Sequence, residues 1–83
     1  MSAHFVYVLK SDKDGRLYVG MTSNLDRRLS EHINGNVFST KGYRPWKLVF
    51  HEHFPSRDSA RKREKYLKSG SGKEWLKKKF LPP

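Results

Sequence analysis

The chain has 83 residues, with 18 Lys or Arg against 8 Asp or Glu and a formal net charge of +10. That length holds one small core and no more, and the absence of cysteine excludes a disulfide framework and any thiolate zinc site. So basic a balance points to a phosphate-rich partner, because neutralising phosphates releases condensed counterions. Composition chooses that class of partner and not the activity, since nucleic-acid binders and binders of acidic membrane share it. No apolar run approaches the length of a membrane span and the start has no signal-peptide pattern, so a cytoplasmic protein is expected.

Phe5-Val6-Tyr7-Val8-Leu9 is β-branched and aromatic, Asp12-Lys13-Asp14-Gly15 has turn chemistry, and Leu17-Tyr18-Val19-Gly20-Met21 returns. The pattern predicts a hairpin with Tyr7 and Tyr18 as neighbours across it. Gly20 falls on the same face as Tyr18, and a glycine inside a strand marks a place where something approaches the backbone. Two phenols beside a bare patch of strand read as a site, against the plainer reading of half-buried filler.

A helix follows, with Ser23 or Asn24 as its cap, Asp26 in its first turn and Asn34-Gly35 at its close. At 100° per residue, Leu25, Leu29 and Ile33 form its expected buried stripe. Arg27 then points away from the stripe, while His32 sits at its margin and Arg28 a little further round. Arg28 and His32 are four residues apart and can meet one target.

The next stretch, from Asn34 to Pro45, reads as a long loop. Lys41, Tyr43 and Arg44 are its candidates for nucleic acid, rings for bases and cations for phosphates. Phe38 is expected to tuck into the core. Trp46 to Phe54 alternates as a third strand, with Trp46, Leu48 and Phe50 on one face and Lys47, Val49, His51 and His53 on the other. Alternation turns Glu52 away from His51 and His53, so no metal site is read there.

Pro55 and Ser56 open a second helix that runs to Leu67 or Lys68, with Ala60 and Leu67 facing inward. Glu64 lies within about 40° of Ala60 on that helix, so its carboxylate points toward the interior and needs a cation, Arg28 or Lys68. Arg61, Lys65 and Lys68 are further candidates for phosphate contact. Ser69-Gly70-Ser71-Gly72 reads as a break before a short basic helix from Lys73 to Phe80. The fold class expected is α/β in content (α+β): a three-stranded antiparallel sheet flanked by helices, in the order ββαβαα, as a single domain over residues 1–83.

The combined pattern resembles the GIY-YIG nuclease family, and within it the small single-domain proteins of UPF0213 type or similar to the N-terminal domain of a repair excinuclease. Tyr7 and Tyr18 stand eleven apart, Arg28 ten beyond Tyr18 and His32 four beyond Arg28, which are the family's spacings. Phe5-Val6-Tyr7 replaces Gly-Ile-Tyr in the first motif, and Tyr18-Val19-Gly20 is the second. Met21 stands where some relatives carry lysine, and no asparagine follows Glu64 at the position many members use. The resemblance implies a catalytic set of Tyr7, Tyr18, Arg28, His32 and Glu64, with Glu64 ligating one Mg²⁺ or Mn²⁺. It implies hydrolysis of phosphodiesters in DNA, with Tyr18 favoured as the base, Tyr7 orienting it, and His32 bonded to the water, the phosphate or a tyrosine. RNA is an alternative substrate, and a partner protein or homodimer is expected to supply specificity. The rival reading is a DNA- or RNA-binding module with a silent site, and a third is a small component of a larger repair complex.

Overall fold

Ser11 organises the first turn. Its carbonyl accepts from the Gly15 amide at 2.9 Å, its hydroxyl accepts from the Lys13 amide at 3.0 Å, and Gly15 supplies the φ of +78° that reverses the chain. The structure is a computed structural model that describes residues 4–81. Strands β1 (His4–Ser11) and β2 (Leu17–Thr22) flank that turn. They are followed by α1 (Leu25–Ile33), a single 3-10 turn (Lys41–Tyr43), β3 (Trp46–Phe54), α2 (Arg57–Lys68) and α3 (Gly70–Phe80). The strands form one antiparallel sheet in the order β2-β1-β3, so β1 is central and the expected α+β architecture and element order hold.

The two faces of β1 carry separate cores. Val6 and Val8 are buried with Val19, Ala60, Leu67 and Leu76, which places α2 and α3 on that side. Tyr7 and Leu9 pack with Trp46, Tyr18, Leu25 and Leu29, which places α1 on the other. Central position explains why β1 reads as a continuous apolar run where an edge strand would alternate.

In β3 the expected alternation fails at one residue. Val8 pairs with Phe50 but Leu9 pairs with Leu48, so Val49 is an extra residue in a bulge. Trp46 and Leu48 therefore join the Tyr7 face, while Phe50 packs with Val6, Val8 and the α2–α3 side. Beyond the bulge, His51 pairs with Tyr7 and His53 with Phe5, on the Tyr7 face, and Glu52 is turned away to meet Arg63 at 2.7 Å.

The α1 helix is rotated from the sequence expectation. Asn24 is its cap, accepting from the Arg27 amide at 3.1 Å, but Ile33 is 59% exposed and His32 is the fully buried residue. A hydrogen-bonded imidazole in the interior outweighs the small gain from burying one more aliphatic at a frayed end. Phe38, expected in the core, is 86% exposed, and Val37 and Thr40 hold the loop down instead. The Trp46 indole donates to the Thr40 carbonyl at 2.7 Å and Ser11 Oγ donates to the Tyr43 carbonyl at 2.6 Å.

The break between α2 and α3 shrinks to Ser69, which caps the start of α3 through the Gly72 amide at 3.3 Å. Gly70 to Gly72 belong to the first turn of α3. A Cβ on Gly72 would collide with the backbone of Tyr66 and Leu67, so only glycine lets the two helices cross this closely.

Candidate active site

Tyr7 is where the elements meet. Its register partner is Gly20, and the phenol lies across that glycine, so that a Cβ there would strike the ring and the hydroxyl. The group that approaches the bare strand is thus Tyr7 itself. Tyr18 pairs with Leu9 and is half-buried, with its ring 6.4 Å from the Tyr7 ring and 5.1 Å from the His32 ring.

His32 reaches Tyr7 from α1. Its Nε2 lies 2.8 Å from the Tyr7 hydroxyl and its Nδ1 lies 2.8 Å from Thr40 Oγ1. Thr40 Oγ1 also donates to the Val37 carbonyl at 3.4 Å, which leaves its lone pair for a proton on Nδ1. In that tautomer Nε2 is the acceptor and Tyr7 donates. Burial first, and then the nearby Arg28 charge, lower the imidazole below its ordinary value against the opposing pull of Glu31, so His32 is held neutral. The expectation that His32 sits at the helix margin is corrected here, since it is fully buried; of the partners expected for it, water, phosphate or a tyrosine, the one it meets is Tyr7, and Thr40 takes its other nitrogen.

Arg28 is anchored by Glu31, Nη1 to Oε1 at 3.0 Å, and this carboxylate followed by the Tyr7 hydroxyl holds it firmly charged. The Tyr7 phenol is pushed up to about 12, chiefly by burial. Arg28 lies close enough to oppose that shift, while Tyr18 and the Glu64 carboxylate add to it. Groups from β2, α1 and α2 thus bear on the Tyr7 phenol of β1: Tyr18, Arg28 and His32, read from spacing, and Glu64, read from helical phase.

Glu64 points inward as its helical phase predicts, with 12% of its side chain exposed. Its partners come from its own helix, Lys68 Nζ at 3.2 Å and Arg61 Nη1 at 3.7 Å, and Arg28 is not among them. Of the six residues expected to touch nucleic acid, Lys41, Arg44, Arg61, Lys65 and Lys68 are exposed. Tyr43 is half-buried beneath the Arg16 guanidinium, which stacks 3.6 Å above its ring. Arg44 folds back on its loop, its Nε donating to the Lys41 carbonyl at 3.0 Å.

Two residues of this network escaped the reading of the sequence. Glu31 stands three after Arg28, a spacing that favours an ion pair on any helix. Thr40 carries no such signal, since only the folded loop brings its hydroxyl to His32.

The GIY-YIG catalytic domain family matches residues 3–79. This chain belongs to that family. Spread over the same length, it is 38% identical to a UPF0213 protein of Staphylococcus saprophyticus across 78 residues, 93% of this chain and 94% of that one. It is 45% identical to a UPF0213 protein of Natronomonas pharaonis across 67 residues, 80% of this chain and 78% of the relative. The solution NMR structure of the UPF0213 protein BH0048 from Bacillus halodurans superposes with a TM-score of 0.57 at 37% identity, covering 96% of this chain and 88% of the other. Membership places the chain in a family of nuclease domains that act on DNA. No helix among the described residues is long and apolar enough to cross a membrane.

The donor set bears on a metal ion. Among the described residues no three His, Cys, Asp or Glu side chains gather into a cluster. Glu64 is an inward-facing carboxylate of α2, close enough to help raise the Tyr7 phenol. A lone carboxylate suits a hard ion that keeps its waters and takes phosphate oxygens for the remaining positions, and does not suit a cage built wholly by protein.

Proposed function

We propose that this GIY-YIG domain is a divalent-metal-dependent endonuclease that hydrolyses phosphodiester bonds in DNA. The observation that carries the reading is the cluster of Tyr7, Tyr18 and His32, in which the Tyr7 hydroxyl meets His32 at 2.8 Å and the Tyr18 ring lies 5.1 Å from the His32 ring, with Arg28 one turn before His32 on α1. Glu64 would hold one Mg²⁺ or Mn²⁺, which supplies Lewis-acid stabilisation of the phosphate and the departing oxygen. Lys68 and Arg61 reach Glu64 from half-exposed positions, so both cations can turn back to water when a divalent ion takes the carboxylate.

Arg28, held in place by Glu31, faces the negative charge that builds on the phosphoryl group in the transition state. Tyr18 takes the proton of the attacking water, because it is half-buried and within reach of solvent. Tyr7 is unsuited to that part: burial raises its phenol to about 12 and its proton is committed to His32. It serves to hold Tyr18 and the phosphate in line, and His32 with Thr40 holds Tyr7.

The test is incubation with single-stranded, nicked, branched and plain duplex DNA, each with Mg²⁺, Mn²⁺ or EDTA. Cleavage of at least one substrate with metal and none with EDTA supports the reading. Tight binding with no cleavage under any condition overturns it in favour of a binding module.

A further inference from the structure

A polar cavity of about 520 Å³ opens beside the catalytic constellation. His4 of β1, Arg27 and Arg28 of α1 and Arg57 of α2 line it, with Glu31 as its one carboxylate. Glu31 is already committed to Arg28 at 3.0 Å. Neither Arg27 nor Arg57 makes an ion pair with any described residue. Three guanidiniums gathered around one neutralised acid repel one another until an anion joins them.

The cavity lies where Thr22 and Ser23 lead into α1 and where α2 begins at Arg57, so both helices bring cations to it. His4 also carries, at Nδ1, a buried side-chain nitrogen with no hydrogen-bond partner among the described residues. The His4 ring thus lines the cavity with that nitrogen uncommitted to any described protein group. The ligand chemistry this describes is a tetrahedral, multiply accepting anion, a phosphate group.

We propose that the cavity seats a second phosphate of the bound DNA strand, a near neighbour of the one being cut. Arg28 supports the adjacency, since it both lines the cavity and acts on the Tyr7 hydroxyl. Arg57 and Arg27 then fix the register of the strand across the catalytic groups, and Arg28 bridges the two phosphates. That the phosphate belongs to DNA rests on the nuclease reading; that the cavity takes an anion does not.

The experiment walks a single neutral methylphosphonate along one strand of a short DNA duplex and measures binding in EDTA, for the wild-type chain and for Arg57→Ala. One position should weaken the wild-type chain and lower its salt slope by about 0.9, the value of one phosphate contact, and leave Arg57→Ala indifferent. Arg57→Lys should regain part of that sensitivity. If Arg57→Ala keeps the wild-type profile at every position, the second seat is overturned while DNA binding itself stands. Inorganic phosphate titrated against the full chain, followed by the NMR signals of the His4 ring, reads the cavity without DNA. A saturable shift that Arg57→Ala abolishes supports the anion site even should DNA binding fail, and no shift in the wild-type chain overturns it.

Discussion

Tyr7 and His32, 25 residues apart in the chain, share a buried hydrogen bond of 2.8 Å that ties the central strand to α1. Tyr7→Phe keeps the ring over Gly20 and removes only the hydroxyl. It leaves Nε2 of a fully buried imidazole without a partner, which costs about 1–3 kcal/mol. Denaturant unfolding should show that loss at neutral pH. An unchanged midpoint would mean that the bond contributes nothing net.

Proton linkage gives the same pair a signature in pH. Burial and Arg28 lower His32 in the folded chain, so as pH falls below the ordinary histidine value of about 6.5 the unfolded chain takes up its proton first. The stability His32 confers is thus present above about pH 6.5 and lost as pH falls through its lowered value. Tyr7, raised to about 12, shows the opposite sense: its stabilisation is present below about pH 10 and lost as pH climbs toward 12. An NMR titration of the His32 ring at or above the ordinary histidine value would contradict the first of these windows.

Arg28 and Arg27 are adjacent and chemically identical, but only Arg28 acts on Tyr7. Losing a donor aimed at charge that develops in the transition state costs about 10²–10³ in rate. Arg28→Ala should therefore lose turnover even at saturating DNA, whereas Arg27→Ala should raise the DNA concentration needed for half-saturation. Equal losses of turnover in the two variants would remove the special position given to Arg28.

Binding to DNA should weaken steeply with salt. The net charge is +10, and exposed cations lie on the loop and on α2 and α3. Each phosphate contact contributes roughly −0.9 to the slope of log K on log salt. A slope near zero between low and physiological salt would show that the basic surface does not face phosphate.

Much of this site was legible before the fold because it is written in local periods. Strand alternation pointed to Tyr7 and Tyr18 as neighbours, and helical phase turned Glu64 inward. Both depend only on geometry that repeats along one element. What escaped depends on tertiary pairing. The bulge at Val49 shifts the face of half a strand, and no residue there announces it. His32 replaces Ile33 inside because Tyr7 and Thr40 satisfy both its nitrogens, and neither partner can be found by spacing along α1. Phe38 stays outside because Val37 and Thr40 occupy the place a local hydropathy reading assigned to it.

The most direct test is Glu64→Gln, with cleavage, DNA binding and thermal unfolding measured on one preparation. The substitution keeps the side-chain volume, removes the carboxylate that a divalent ion would need, and relieves one repulsion of phosphate on a basic helix. With Mg²⁺ present, the wild-type chain should cut DNA, and Glu64→Gln should bind it as tightly or more tightly without cutting. Its melting temperature should stay near that of the wild type, because the amide keeps the volume, removes the inward charge that needed a cation, and leaves Lys68 and Arg61 half exposed to water. A variant that melts markedly lower while retaining wild-type cleavage would make Glu64 a structural ion-pair partner and contradict a metal-dependent site built on it.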